Sequence, residues 1–241
     1  MEKLSIVVPC YNEEDGIPQL AEKLPPLIEQ LQKEYVVELL FIDDGSTDKT
    51  QDLLRTFFGG FSYATIIPHE VNKNLGAALR TGFYHATGDY VAALDSDCTY
   101  DPFLLVEMLR VLNEKNVDIV TVSPYHPLGT VMNVPRYRLF LSSTVCAIYR
   151  FLLRSELHTF TAMVRVYRRE VVKTIIIESN TFMGVTELLA KALLRGYKAA
   201  EIPATLNSRA FGISKLKTFR TIKDHLRLIW KIVKLKFGAA L

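Results

Sequence analysis

The sequence is poor in cysteine and contains no long apolar run. Its three cysteines, Cys10, Cys98 and Cys146, are odd in number and widely spaced, which excludes a disulfide framework and a cysteine-based metal site and indicates a reducing compartment. No stretch of about 18 or more uninterrupted apolar residues occurs. The first apolar run has no basic segment before it and ends at Pro9. We therefore expect a cytoplasmic protein with neither a transmembrane helix nor a signal peptide.

Acidic residues are scarce near the C-terminus. Residues 207–241 carry nine Lys or Arg and one acid, Asp224, whereas the rest of the chain carries 20 basic and 25 acidic residues. Apolar side chains recur at three- and four-residue intervals over Thr218–Phe237, which predicts a basic amphipathic helix of about 30 Å. Such a helix with a tryptophan is typical of contact with an anionic membrane surface. The alternative is a helix docked on the body of the protein with a solvated lysine face.

The glycine-rich turn of dinucleotide-binding enzymes is also missing, because the first apolar run leads into Pro-Cys-Tyr-Asn-Glu at 9–13. This argues against a dinucleotide-dependent oxidoreductase. Short apolar runs alternate with helical patterns along the first half of the chain, which predicts an α/β fold with a mostly parallel central sheet covered by helices. We expect Pro25 and Pro26 to kink or divide the first helix, and residues 163–167 to form a later strand.

Acid-containing loops follow three of the predicted strands. Glu13 follows the first strand, Asp44 the second, and Asp95-Ser96-Asp97 the fourth. Ligands of parallel sheets bind beyond the carboxyl ends of the strands, so we expect these loops to converge on one edge. Asp-x-Asp alone is common in surface turns. Beside the other acids it predicts a site for Mg²⁺ or Mn²⁺ and a diphosphate, because hard cations prefer oxygen ligands and phosphates complete their coordination.

Five sequence segments occur in a recognisable order. They are LSIVVPCYNEEDGI, LLFIDDGSTDKT, NLGAALRTGFYHATGDYVAALDSD, RVYRREVV and RAFGISK. Together they resemble family 2 glycosyltransferases of the GT-A fold, and more narrowly the polyprenyl-phosphate sugar transferases of the dolichol-phosphate mannose synthase kind. The resemblance implies a GT-A-like transferase domain at 1–206, followed at 207–241 by a diphosphate-clamp loop and the basic amphipathic helix.

The resemblance implies a nucleoside pocket lined by Pro9, Tyr11, Glu13 and Asp44. Tyr11 would stack on the base, and Glu13 would accept hydrogen bonds from the ribose or the base. Asp44 would hold the base or the ribose. The residues themselves leave an alternative for Tyr11 and Glu13, which is a turn that starts the first helix.

The resemblance also implies that Asp95, Ser96 and Asp97 lie at the diphosphate of the sugar nucleotide. Asp95 and Asp97 would bind Mg²⁺ or Mn²⁺, with Asp97 as the more direct ligand, and the metal would stabilise charge on the leaving diphosphate. Arg209 and Lys215, in the RAFGISK segment, would close over the same diphosphate. For those two cations the alternative is a basic surface loop.

The acceptor side is implied less completely. Arg138 and Ser142 would hold the acceptor's phosphate, although a packing helix with exposed arginines explains the same pattern. Glu187 is either a general base for a hydroxyl acceptor or a side chain that holds Arg209 or the acceptor loop, because a phosphate acceptor needs no base.

The sequence departs from the family pattern in three places. Pro124 stands where the family has an arginine, and Thr99 stands where it often has a glutamine. Ala162 and Met163 replace the usual Ser-Gly. All of these positions lie near the expected sugar and acceptor, so the sequence leaves both identities open.

The resemblance therefore implies an inverting, metal-dependent glycosyltransferase. It would move a sugar, foremost mannose or glucose, from a GDP- or UDP-linked donor to polyprenyl or dolichyl phosphate. We expect it to lie on the cytoplasmic face of a membrane, in contact with the surface through the basic helix, and to bind no nucleic acid. Two rivals are transfer to a sugar hydroxyl of a glycolipid or polysaccharide, and a non-catalytic protein that binds sugar nucleotides.

Overall fold

A computed structural model describes residues 1–132, 134–207 and 218–237. The strands are β1 (Glu2–Cys10), β2 (Tyr35–Asp43), β3 (Ala64–Pro68), β4 (Tyr90–Ala93), β5 (Ile119–Ser123), β6 (Thr130–Val131), β7 (Arg165–Arg168), β8 (Ala199–Pro203) and β9 (Thr205–Leu206). The helices are α1 (Ile17–Leu31), α2 (Thr50–Phe58), α3 (Leu75–His85), α4 (Leu104–Glu114), α5 (Arg136–Leu153), α6 (Arg169–Thr174), α7 (Met183–Leu194) and α8 (Thr218–Phe237).

Seven strands form the central sheet in the order β3-β2-β1-β4-β7-β5-β8. Every pairing is parallel except those of β7, which runs antiparallel between β4 and β5. A separate small sheet pairs β6 with β9. The α/β class with a mostly parallel sheet is confirmed.

The core lies on both faces of this sheet, because its central strands are apolar on successive positions. Ile6 and Val8 of β1 pack toward one core, which includes α1, α2 and α4, and Val7 packs toward the other, which includes α3, α5, α7 and α8. Strands buried on both sides read as continuous apolar runs rather than alternating ones.

Helix α1 continues through Pro25 and Pro26, so the expected division does not occur. The two prolines are half-buried and exposed, whereas Leu24 and Leu27 are fully buried against the sheet. The carbonyl groups that lose an N–H partner to proline therefore lie toward solvent, where water replaces it. Burial of the leucine face holds the helix together.

Helix α8 packs on α5 and α7. His225, Leu228 and Ile232 form its buried face, and the Tyr149 hydroxyl lies 3.1 Å from His225 Nδ1. Burial lowers the pKa of His225 to about 4, so the imidazole is neutral at neutral pH. Among helices in the described ranges, none has both the length and the apolar character needed to cross a bilayer.

Candidate active site

A cavity of about 440 Å³ opens at the carboxyl edge of the sheet. Its wall is formed by the loops after β1 and β2 together with the starts of α3, α7 and α8. The lining residues are Pro9, Cys10, Tyr11, Glu13, Asp44, Asn72, Asn74, Leu75, Ala78, Thr181, Phe182, Met183, Thr221 and Asp224. Its size suits a small organic ligand such as a nucleoside.

The loop after β1 is tied to the loop after β2. The Asn12 N–H donates to Ser46 Oγ at 2.9 Å, and the Glu13 N–H donates to Thr50 Oγ1 at 2.7 Å. Asn12 has a φ of +50°, a left-handed conformation that asparagine tolerates well. These contacts hold Tyr11 and Glu13 at the cavity wall, as the sequence predicted for a pocket at this edge.

Asp44 is buried at the cavity wall and is anchored by three neighbours. Its Oδ1 lies 2.7 Å from His69 Nδ1 and accepts the Lys73 N–H at 2.9 Å. Its Oδ2 accepts the Asn72 side-chain amide at 3.0 Å. A carboxylate oxygen accepts two hydrogen bonds, so Oδ2 retains capacity for a donor on a ligand while Oδ1 fixes the side chain.

His69 is a site residue that the sequence reasoning missed. Its Nε2 lies 2.9 Å from Thr81 Oγ1, so the ring bridges α3 and Asp44. The histidines show no metal-ligand spacing, and spacing therefore selects none of them. The position of His69 in the chain could have indicated its role. It directly follows β3, so it lies on the same edge of the sheet as the acidic loops.

The loop that carries Asp95 lies beside the cavity loops. The Leu94 N–H donates to the Val7 carbonyl at 3.0 Å, which keeps the chain paired with β1 up to the loop. A methyl group placed on Gly16 would lie 3.6 Å from the Ser96 carbonyl oxygen. The Asp-x-Asp turn therefore packs against the loop after β1, next to the cavity wall.

The donor set of this turn fits a hard divalent cation. Asp97 Oδ1 accepts the Thr99 N–H at 3.0 Å and also the Thr99 hydroxyl, which orients the carboxylate. In the part of the chain that the structure describes, no cluster of three or more His, Cys, Asp or Glu is placed to hold a metal. Mg²⁺ usually takes only one or two protein carboxylates and completes its shell with phosphates and water, so a site at this turn would need no third protein ligand.

Arg209 and Lys215 lie outside the described residues, but both flanks of their segment are placed. The Asn207 N–H donates to the Thr99 carbonyl at 3.1 Å, two residues from Asp97. On the other side, Thr221 lines the cavity. The two flanks of the segment therefore lie at the Asp-x-Asp turn and at the cavity.

The predicted acceptor residues lie on α5. Ser142 is half-buried, and its Oγ lies 3.4 Å from Thr161 Oγ1. Thr161 directly precedes Ala162 and Met163, where the chain departs from the family pattern. Arg138 lies one turn before Ser142, and its side chain is outside the described part of the structure.

Glu187 is buried on α7 and contacts its surroundings through both carboxylate oxygens. Oε2 accepts the N–H groups of Glu178 and Ser179 at 3.0 and 2.8 Å. Oε1 lies 2.7 Å from Lys191 Nζ and 3.5 Å from Lys231 Nζ of α8. These contacts tie Glu187 to the 178–179 backbone and bring it close to α8.

Comparison with known proteins agrees with this arrangement. The family model described as Glycosyl transferase family 2 matches residues 5–176. Polyprenol monophosphomannose synthase from Mycolicibacterium smegmatis is 30% identical over 222 residues, which cover 89% of this chain and 81% of the relative. Dolichol-phosphate mannosyltransferase from Pyrococcus furiosus is 29% identical over 238 residues, which cover 96% of this chain and 64% of the relative.

Solved structures show the same fold. A crystal structure of glucosyl-3-phosphoglycerate synthase from Mycobacterium tuberculosis with Mg²⁺ and uridine-diphosphate matches with a TM-score of 0.71 at 20% identity. The match covers 97% of this chain and 79% of that structure. At this identity the match supports the GT-A-like architecture, while the family model and the curated relatives establish membership. The chain belongs to glycosyltransferase family 2 and is a glycosyltransferase.

Proposed function

We propose that the protein is an inverting, metal-dependent enzyme that moves mannose or glucose from a GDP- or UDP-linked donor to a polyprenyl phosphate at the cytoplasmic face of a membrane. The observation that carries the proposal is the nucleoside-sized cavity beside the Asp-x-Asp turn. The two curated relatives, named for polyprenol and dolichol-phosphate mannose transfer, support the choice of acceptor. Residues 1–206 would form the transferase domain, and 207–241 the clamp loop and the membrane-contacting helix.

The donor's nucleoside would occupy the cavity. Tyr11 would stack on the base, Glu13 would accept hydrogen bonds from the base or ribose, and Pro9 would pack against them. The remaining acceptor capacity of Asp44 Oδ2 suits an N–H of the base or a ribose hydroxyl. The nucleotide's diphosphate would then extend toward the turn at Ser96.

Asp95 and Asp97 would hold Mg²⁺ or Mn²⁺ at that diphosphate. When bound, the metal supplies Lewis-acid stabilisation of the leaving nucleoside diphosphate. Arg209 and Lys215 would add donors from the segment whose flanks lie at Thr99 and in the cavity. Cationic donors placed where negative charge develops lower the barrier for leaving-group departure.

The acceptor phosphate would be held by Arg138 and Ser142 on α5. One of its oxygens attacks the anomeric carbon in line, a new carbon–oxygen bond forms, and the bond to the donor diphosphate breaks with inversion. Because a phosphate oxygen is already anionic, the step needs no general base. The structural contacts of Glu187 agree with such an acceptor.

The test of the function is a transfer assay. Purified protein is incubated with Mn²⁺, labelled GDP-mannose or UDP-glucose, and either a polyprenyl phosphate or a hydroxyl-bearing glycolipid in detergent. We expect an acid-labile polyprenyl-phosphate sugar and no glycolipid product. Transfer to the glycolipid alone would overturn the acceptor assignment. Nucleotide binding without transfer or hydrolysis would instead identify a non-catalytic binding protein.

Replacing Glu187 by glutamine separates the two acceptor chemistries. The glutamine side chain keeps an oxygen for the 178–179 N–H groups, and Lys191 keeps its ion pair with Glu178 at 2.7 Å. The stability loss should therefore be smaller than the about 3–5 kcal/mol of an uncompensated buried charge. We expect transfer to polyprenyl phosphate to stay within about tenfold, whereas loss of a general base lowers rates about 10²–10⁴-fold.

The measurements for this substitution are a urea unfolding curve and the transfer rate. Glu114→Gln is the matched control, because it removes an exposed ion pair with Arg110 far from α7. A folded Glu187→Gln protein with transfer reduced into the range of a lost base would indicate a hydroxyl acceptor.

His69 is expected to position Asp44 for the donor. His69→Ala removes a hydrogen bond to a buried carboxylate, so we expect the KM for the sugar nucleotide to rise about tenfold with little change in kcat. His69→Asn, whose amide can occupy the place of Nδ1, should restore most of the affinity. Steady-state kinetics of both variants test this. A fall in kcat at unchanged KM, or an equal effect of both substitutions, would contradict a positioning role.

A further inference from the structure

Helix α5 presents an apolar face to solvent. Its exposed apolar residues recur at helical spacing, and they include Phe140 and Phe151, which are 70% and 83% exposed. The face is completed by Tyr137, Ala147 and Ile148. A row of strongly exposed aromatic side chains along one helix is typical of a surface that contacts a membrane or another protein.

Helix α8 presents a second face of the same kind. Leu226 and Trp230 are 62% and 61% exposed, and Ile222 is exposed on the same side of the helix. Cations alternate with these side chains, and Lys234 Nζ lies 3.7 Å from the centre of the Trp230 ring. Tryptophan beside lysine is the composition of helices that lie in the headgroup region of a bilayer.

The two helices contact each other at two points near the C-terminal end of α5. Tyr149 meets His225 in the buried seam, and the Lys236 ammonium donates to the Leu152 carbonyl. As a result, Phe151 of α5 and Lys236 of α8 border a single groove. The exposed face of α5 and the C-terminal end of α8 therefore border the same groove.

The groove combines positive charge with apolar surface. It encloses about 560 Å³ and is lined by Ala147, Arg150, Phe151, Leu152, Arg154, Ser155 and Lys236. Across the described ranges, no ion pair involves Arg150 or Arg154. The carbonyls of this helix end are already bonded, since the Arg154 and Ser155 N–H groups donate to Arg150 O. The guanidinium groups of Arg150 and Arg154 can therefore bind an anion from outside the protein.

We propose that α5 and α8 together form a bilayer-facing surface, and that the groove between their C-terminal ends binds the phosphate of an anionic phospholipid headgroup. The inference rests on the proposed function for the membrane contact of α8, and it adds α5 and a lipid site. An anionic bilayer explains both the exposed aromatic rings and the arginines that lack an ion pair within the described ranges. Its interfacial region buries the rings, and its phosphate groups neutralise the arginines.

The groove is separate from the proposed acceptor site. Arg150 lies 12 residues after Arg138 on the same helix, a separation of about 18 Å along the axis. A phospholipid in the groove would therefore orient α5, the helix that carries the proposed acceptor residues, on the leaflet that holds the polyprenyl phosphate. The phospholipid is bound and is not consumed.

The test compares vesicle binding of charge-reversal variants. Full-length protein is sedimented with phosphatidylcholine vesicles, and with vesicles of equal phosphatidylcholine and phosphatidylglycerol. Each cation near an anionic surface contributes about fivefold to binding, so Arg150→Glu combined with Arg154→Glu should weaken binding to phosphatidylglycerol vesicles by about 25-fold or more. Phe151→Ser should weaken binding to both vesicle types, while Tyr84→Ser, a similarly exposed ring on α3, should not.

The matched charge control is Lys33→Glu combined with Arg55→Glu. Both side chains are exposed and lie at α1 and α2, which cover the opposite face of the sheet. This variant should bind vesicles better than the groove variant, and both should transfer sugar to a short polyprenyl phosphate in detergent at the wild-type rate.

The outcomes separate the lipid site from the function on which it rests. Equal binding of the two charge variants would overturn the groove assignment, even if the enzyme is active. Loss of detergent-phase transfer in the wild type would overturn the function, whatever the vesicles show. A third outcome is that inorganic phosphate raises the unfolding temperature of the wild type but not of the groove variant, while the two charge variants bind vesicles equally. That result would assign the groove to soluble phosphate and refute the lipid site.

Discussion

Replacing Asp97 by asparagine is expected to lower sugar transfer by about 10³-fold or more, because metal stabilisation of a leaving diphosphate contributes several kcal/mol to the transition state. Asparagine keeps a side-chain oxygen for the hydrogen bonds from Thr99. The turn should therefore retain its shape, and the change removes mainly one negative charge. The variant should also lose the stabilisation that a GDP- or UDP-linked sugar gives in the presence of Mn²⁺.

Two measurements check this expectation. One is the transfer rate at saturating donor, and the other is a thermal-shift screen of sugar nucleotides with Mn²⁺ or with EDTA. Asp52→Asn on α2 is the matched control, since its carboxylate is exposed in the first helical turn away from the cavity. If no sugar nucleotide stabilises the wild type with metal, or if the Asp97 variant responds like the wild type, the metal site is wrongly assigned.

The location of the candidate site could be predicted from the sequence because it depends on local patterns. The strands that end before Glu13, Asp44 and Asp95 are short apolar runs, and parallel strands bring their carboxyl ends to one edge. The structure places Tyr11, Glu13 and Asp44 around one cavity and the Asp-x-Asp turn beside it. The site can be located in this way without knowing which strands are neighbours in the sheet, because only the carboxyl ends of the strands need to be identified.

The pairing itself could not be predicted in this way. Residues 163–167 were expected to form a strand, and the strand at Arg165–Arg168 lies antiparallel between β4 and β5. Side-chain periodicity reports which residues are buried and carries no information about distant partners. For the same reason the sequence did not show that Thr221 and Asp224 of α8 line the cavity, because this contact joins segments about 200 residues apart.

The roles of His69 and Glu187 could not be predicted from the sequence for a different reason. His69 follows a strand that is only half-buried, so its role is visible only through the distances to Asp44 and Thr81. Glu187 shows the converse case, because the resemblance leaves open a general base or an acid that holds Arg209 or the acceptor loop, and only the structure shows its contacts with the 178–179 N–H groups and the two lysines. In both residues, function depends on contacts between segments that are separate in sequence.

Replacing Gly76 by alanine is expected to destabilise the fold by about 3 kcal/mol, because the added methyl group has no space. It would overlap the Ser179 carbonyl oxygen and lie 2.8 Å from the Thr181 carbonyl oxygen. The Gly76 N–H also donates to the Asn180 carbonyl at 2.7 Å. All of these neighbours are backbone atoms, so relief requires the 179–181 loop to move away from α3.

That loop continues directly into Phe182 and Met183 at the start of α7, and both residues line the cavity. Displacing Phe182 and Met183 by about 1 Å should weaken donor use by up to about 100-fold, beyond the stability effect. Gly60→Ala is the matched control, because a methyl group there meets nothing within 4 Å, and it should leave stability unchanged or slightly raised. Urea unfolding and the KM for the sugar nucleotide measure the two effects. Wild-type stability in Gly76→Ala would show that α3 and the cavity loop are not in the tight contact on which this geometry depends.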